Sequence, residues 1–221
     1  MAIWRLLALL LLLLSAKAQV QCTVGPSGTY ATINAGLAGC NGGVGSIQLL
    51  LDGSFTETMV VPVTVTNLTL TSVDFDADLV PANPFPANIS TRITGSNHLV
   101  LNVSTALFIQ GIILDGASSG EPMFAPWLIN NNVTMDRCLV GNWTGDFAIR
   151  IEPCQRAVSI NFINNRFFRV WGTTVWAEGH EDIIFLNNIL DRVGGFHNMS
   201  GVYVHNLFSR ADINAFSGTS R

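Results

Sequence analysis

A short strand pattern recurs three times in the second half of the chain, and it restricts the fold to a stack of similar turns. The copies are Ala148-Ile149-Arg150-Ile151-Glu152-Pro153, Thr174-Val175-Trp176-Ala177-Glu178-Gly179 and Gly201-Val202-Tyr203-Val204-His205-Asn206. They begin at nearly equal intervals and keep apolar side chains at the second and fourth places. Alternate side chains of an extended strand point to opposite faces. The pattern therefore predicts Ile149, Ile151, Val175, Ala177, Val202 and Val204 on the inner face, and Arg150, Glu152, Trp176, Glu178, Tyr203 and His205 on the outer. A fixed period of this length without an intervening helical pattern is the signature of a β-solenoid, in which each repeat buries its apolar face only against its neighbours. Met123-Phe124-Ala125-Pro126 forms a weaker fourth member, set as far before Ile149 as Ile149 is before Val175.

A second series lies between these strands: Val133 to Val140, Ile160 to Phe168 and Ile183 to Leu190. Within it the pair Asn164-Asn165 recurs as Asn187-Asn188. Asparagines stacked at a bend can bond one another and the adjacent backbone from coil to coil, which satisfies polar groups that the turn would otherwise orphan. This is expected to be a structural ladder, not a binding site. Earlier strand signals run through Ser46 to Gly53, Met59 to Thr71, with Pro62 marking a corner, and Leu107 to Gly116. Near the start, Tyr30, Ile33 and Leu37 fall at helical spacing and Thr29 is a candidate N-cap, so a short amphipathic helix is expected to cap the open end of the stack.

The first part of the chain, 1–18, has a basic start, a leucine-rich core from Leu6 to Leu14 and an Ala16-Lys17-Ala18 end. This is the form of a cleaved secretory signal peptide and is too short for a membrane span. Secretion to the extracellular space is the expected localisation. Loss of Arg5 and Lys17 leaves nine arginines and no lysine against fifteen acidic residues. Such a charge balance disfavours nucleic acid and anionic lipid, both of which require clustered cations. Residues 19–45 are read as the N-terminal cap, 46–208 as the solenoid and 209–221 as a C-terminal tail. The tail carries no evident cap, so the array could be truncated or could meet another subunit end to end.

An oxidising compartment and four cysteines predict two disulfides. Of three connectivities the local one, Cys22 with Cys40 and Cys138 with Cys154, is favoured. Six N-x-S/T sequons, at Asn67, Asn88, Asn102, Asn132, Asn142 and Asn198, are candidate glycosylation sites.

The stretch Gly25-Pro26-Ser27-Gly28-Thr29-Tyr30-Ala31-Thr32-Ile33, followed by the Leu49 strand and a Thr-rich run ending Ile93-Thr94-Gly95, resembles the start of pectin-lyase-like proteins. It is nearest to pectin methylesterases. Phe108 to Gly116 and the Asn-Asn coils look like the generic β-helix of that superfamily. The resemblance implies an all-β, single-stranded right-handed parallel β-helix with a short N-terminal capping helix, acting on acidic polysaccharide. The superfamily's catalytic motifs have no counterpart here. The paired aspartates of the methylesterases are represented at most by Asp146 in Gly145-Asp146-Phe147, and the polygalacturonase and pectate lyase patterns are missing.

The outer column is the candidate site. Trp176 and Tyr203 offer flat faces to sugar rings, with His205 beside them, and Arg150 can grip a carboxylate in two places. Glu152 and Glu178, with Asp146, are the candidate acid and base. The plainer reading is an ordinary outward face whose neighbours merely support the sheet. Asp74, Asp76 and Asp78 have the spacing of a loose calcium site, but Leu79 and Phe85 break the EF-hand pattern, so a solvated loop is favoured and no cofactor is expected. Glu178 to Asp182 gathers His180 with acids in an order that fits no zinc spacing. Two functions remain: a secreted protein that binds or modifies an acidic polysaccharide or cell-surface glycan, and a non-catalytic adhesive glycoprotein that uses the solenoid as a rigid spacer.

Overall fold

The computed structural model describes residues 19–75, 91–94, 99–100, 105–119, 132–144, 147–151, 159–171, 173–194 and 196–210. The chain winds through parallel strands that alternate between two long sheets. The first sheet runs Val20–Val24, Gly45–Leu51, Val65–Ser72, Ala106–Gln110, Val133–Asp136, Ile160–Ile163 and Thr173–Leu186, and includes Phe147–Ile151 and Phe196–Val204. The second runs Ser54–Phe55, Arg92–Thr94, Ile113–Ser119, Leu139–Trp143, Arg166–Val170, Ile189–Val193 and Leu207–Ser209. Met59–Val60 and Leu99–Val100 form a third, two-stranded parallel pair. Among the described residues every strand pairing is parallel and joins one coil to the next, as a solenoid requires.

The alternation of apolar and polar residues becomes columns through the core. In the first sheet Ile47, Leu68, Leu107, Val133, Ile160 and Ile183 occupy one register position, and each is at most 2% exposed. At the next inward position, Leu49, Leu70, Ile109, Met135, Phe162 and Phe185 form a second buried column. The rings of Phe162 and Phe185 stack at 4.6 Å, and Tyr203 stacks on Phe185 at 5.6 Å. Each such pair contributes about 1 kcal/mol beyond the area it buries.

Between the two sheets the last three described coils turn through the expected asparagine ladder. The outer rung residues Asn164 and Asn187 both have φ of 55°, a left-handed conformation that asparagine tolerates better than most residues. The inner residues Asn165 and Asn188 are fully buried. The Asn188 side-chain amide donates to the Phe162 carbonyl at 2.8 Å, and its Oδ1 accepts from the Asn165 backbone N–H at 2.8 Å. Asn206 extends the ladder by one coil, donating to the Phe185 carbonyl at 2.9 Å and accepting from the Asn188 backbone N–H at 2.9 Å.

Cys138 occupies the same position one coil before Asn165, and its backbone N–H donates to Asn165 Oδ1 at 2.9 Å. The expected Cys138–Cys154 bridge is therefore corrected: Cys138 is a free, buried thiol that points to the Ile109 carbonyl at 3.6 Å. Cys154 lies outside the described residues. Burial pushes the Cys138 thiol up to about 12, so it stays protonated and unreactive at neutral pH. The other expected bridge, Cys22–Cys40, is formed.

The cap helix spans Ile33–Gly39, and its N-cap is Thr32, not Thr29. Thr32 Oγ1 accepts from Ala35 N–H at 3.1 Å, while the Glu57 carboxylate accepts from the N–H groups of Ile33 and Asn34 at 2.6 and 2.9 Å. A carboxylate at this end is favoured by the helix dipole and ties the cap to the coil that follows. The segment read as cap also supplies a rung: Val20–Val24 pairs in parallel with Gly45–Leu51, so the stack starts one strand earlier than expected. No helix among the described residues is long and apolar enough to cross a membrane.

Candidate anion-binding groove

The expected outer column divides in the structure. Ile149 pairs with Val175, Arg150 with Trp176 and Ile151 with Ala177, the register read from the sequence. Trp176 then pairs with His197, not with Tyr203. The strand Phe196–Val204 places Gly201 beside Ile183 and Tyr203 beside Phe185. Tyr203 thus joins the inner aromatic column, and burial pushes its hydroxyl up to about 12. A one-residue slip exchanges every side chain of a strand between faces, and Val202 and Val204, expected inside, are 51% and 38% exposed. His205 sits at the left-handed corner below Asn187, with φ of 54°. The residues expected as one patch therefore do not share a column.

Glu178 lies on the strand Thr173–Leu186, where the pairing to the next strand shifts register between Trp176 and His180. Asp146 and Glu152 lie outside the described residues, as do Asp76 and Asp78 of the calcium reading. Of the sequons, Asn88 and Asn102 also lie outside them. No group of three His, Cys, Asp or Glu side chains among the described residues is placed to hold a metal ion.

A different cluster is assembled on the outer face of the second sheet. Its later strands each carry a residue with positive φ in their last three positions or just past the end: Ala117, Asn142, Arg169, Arg192 and Arg210 at 49°, 61°, 52°, 55° and 55°. Ala117 lies beside a register shift. Pairing of Gly141 with Phe168, Phe168 with Asp191 and Asp191 with Ser209 puts the other corners, from Asn142 to Arg210, in one column. For a residue other than glycine, a left-handed backbone costs about 1–2 kcal/mol, and asparagine is enriched there while arginine is not. Three consecutive coils nonetheless carry arginine at this corner. Backbone geometry gives no reason for that choice, and the side chain must supply it.

These three arginines are exposed, as is Arg166, which starts the strand ending in Arg169 and Val170. Two other arginines are engaged: Arg92 pairs with Asp115 at 2.7 Å, and Arg137 approaches Asp136 at 3.7 Å and lies over the Phe75 ring. Arg166, Arg169, Arg192 and Arg210 have no acidic partner within 4.0 Å among the described residues. Four of the chain's ten arginines thus converge on one face of an otherwise acidic protein.

Three of them, Arg166, Arg169 and Arg192, border a groove of about 360 Å³ that Leu139, Phe168 and Asp191 also line, and Arg210 follows Arg192 one coil on in the corner column. Phe168 crosses the outer face where the previous coil has Gly141. A Cβ at Gly141 would lie 2.7 Å from the Phe168 ring and 2.4 Å from its carbonyl oxygen, so the glycine makes room for both. Trp171, just past the end of the same strand, is 80% exposed. Flat rings beside guanidinium groups suit a ligand that is both a ring and an acid: guanidinium forks match carboxylate or sulfate, and aromatic faces accept the C–H side of a sugar. Among the described residues Asp191 is the single carboxylate lining the groove, an acceptor for hydroxyl groups.

The signal for this groove was present in the sequence as a constant offset from the ladder. Asn165 precedes Arg169, Asn188 precedes Arg192 and Asn206 precedes Arg210 by the same interval. The ladder positions each turn, so a residue at a fixed step beyond it falls at each following corner. No protein-family model, curated protein or solved structure matches the chain.

Proposed function

We propose that this protein is a secreted, right-handed β-helix glycoprotein of pectin-lyase-like type that binds an acidic polysaccharide through the arginine groove without cleaving it. The observation that carries the proposal is the column of three left-handed corner arginines whose charges have no acidic partner among the described residues. A binding role accounts for their exposure and for the aromatic side chains beside them, and a groove lined by one carboxylate among the described residues fits retention better than turnover. The secretory leader read from residues 1–18 would deliver such a protein to where acidic glycans are found.

The positions of two sequons fit this reading. Asn67 and Asn132 are exposed on the outer side of the first sheet, away from the groove on the second. Glycans there would leave the arginine face open.

Titration of the mature protein with polygalacturonate, and with dextran as a neutral polymer, tests the proposal. Affinity for polygalacturonate should fall steeply as salt rises, because the contacts are ionic, and dextran should not bind. Equal binding of both polymers, or salt-independent binding, would overturn it. Release of shortened or unsaturated products during the titration would return the protein to the enzymes.

A further inference from the structure

We infer that the row of corner arginines, two in the groove and one a coil beyond it, reads charge spacing along its ligand: the polymer lies parallel to the solenoid axis and presents one acidic group to each coil. The inference rests on the binding role proposed above and names the kind of polymer that the site selects.

The register fixes the geometry. Arg169, Arg192 and Arg210 occupy equivalent corners of three successive coils, and parallel strands repeat at about 4.8 Å. Their φ angles are 52°, 55° and 55°, so the three side chains leave the backbone in nearly the same direction. The result is a row of cations at the pitch of the coil, similar to the advance of one sugar in an extended polymer. A chain lying across the sheet would meet one arginine of this row; a chain lying along the axis meets all three. The row ends at Asn142, one coil before Arg169, whose side-chain amide donates to Asp115 Oδ1 at 3.1 Å. Among the described residues the row is therefore three charges long.

A row at this pitch favours a polymer with an acid on every sugar over one with an acid on alternate sugars. The second kind can satisfy Arg169 and Arg210 but leaves Arg192 facing a neutral ring. Asp191, in the same groove, accepts from sugar hydroxyls and disfavours additional anionic groups placed between the rungs.

The test compares polygalacturonate, acidic at every sugar, with hyaluronate, acidic at alternate sugars, on the full mature chain and on Arg192→Asn. Asparagine suits the left-handed corner, so this variant keeps the fold, and equal thermal midpoints for the two proteins verify that. The wild type should bind polygalacturonate about tenfold more tightly at matched sugar concentration, the loss of one charge-assisted contact being of that order. In Arg192→Asn the preference should shrink to near unity, because the two remaining rungs then match the alternate spacing. Equal affinities in the wild type, or a preference unchanged in Arg192→Asn, would overturn the spacing inference while leaving the binding role intact. Failure of both polymers to bind the wild type would overturn the binding role itself, and the inference with it.

Discussion

Replacing Asn188 with alanine removes the middle rung of the buried ladder. The side chain makes four hydrogen bonds: to the Phe162 carbonyl at 2.8 Å, from the Asn165 backbone N–H at 2.8 Å, from the Asn165 amide at 3.2 Å and to Asn206 Oδ1 at 3.0 Å. Two of the partners keep other bonds. The Asn165 amide still donates to the Met135 carbonyl, and Asn206 Oδ1 still accepts from the Asn188 backbone N–H. The Asn165 N–H and the Phe162 carbonyl lose a buried side-chain partner. The carbonyl keeps its place in the parallel strand ladder, so the N–H is the group left without a partner, and a buried polar group left so costs about 1–3 kcal/mol, which is the expected loss. The control is Asn187→Gly, which changes the outer rung. Asn187 is exposed, its amide reaches Asn164 only at 3.4 Å, and glycine accepts the left-handed corner without penalty. Urea denaturation followed by circular dichroism should show a large drop in midpoint for Asn188→Ala and little change for Asn187→Gly. Equal small effects for both, below about 1 kcal/mol, would refute the claim that the inner asparagines hold the coils in register.

Three other outcomes follow from the same geometry. The Cys138 thiol is raised by burial from its ordinary 9.0 to about 12. A group raised on folding stabilises the native state fully below its unfolded value and loses that contribution as pH climbs to the folded one, so stability should decline between about pH 9 and 12, and the decline should be shallower in Cys138→Ala. The native thiol should also resist modification by an aromatic disulfide reagent at about pH 8 until denaturant is added. In secreted material, glycopeptide mass spectrometry should find glycans on Asn67 and Asn132 and none on Asn142, whose amide is bonded to Asp115 at a left-handed corner.

Much of the fold was legible in the sequence because solenoid columns copy themselves. The series starting at Val133, Ile160 and Ile183 aligns in the structure as it does in the sequence, and the repeated Asn-Asn pair marks the turn between the sheets. The pairing of Arg150 with Trp176 was equally direct. The last coil was misjudged because the coils shorten: the step from Asn188 to Asn206 along the buried ladder is shorter than the step from Asn165 to Asn188. The apolar alternation of Val202 and Val204 suggested an inward face. The stacking of Tyr203 on Phe185, with Asn206 locked into the ladder, puts those valines outside.

Cys138 was matched with another cysteine because cysteine count in a secreted chain predicts bridges, whereas its place in the turn assigns it to the column of buried asparagines. The arginine groove was missed because its members are separated in sequence and conform to no catalytic motif. Their constant offset from the ladder asparagines becomes a shared corner once the coil register is known, and the arrangement of the acidic side chains shows that their charges go unanswered among the described residues.

The most direct test of the account is the affinity of the mature protein for polygalacturonate with and without the corner arginines. The triple variant Arg169→Asn, Arg192→Asn, Arg210→Asn keeps residues suited to left-handed backbone and should fold with an unchanged circular dichroism spectrum. It should lose detectable binding, and with it the salt dependence that the wild type shows. Wild-type affinity retained in a folded triple variant would contradict the assignment of the groove as the binding site.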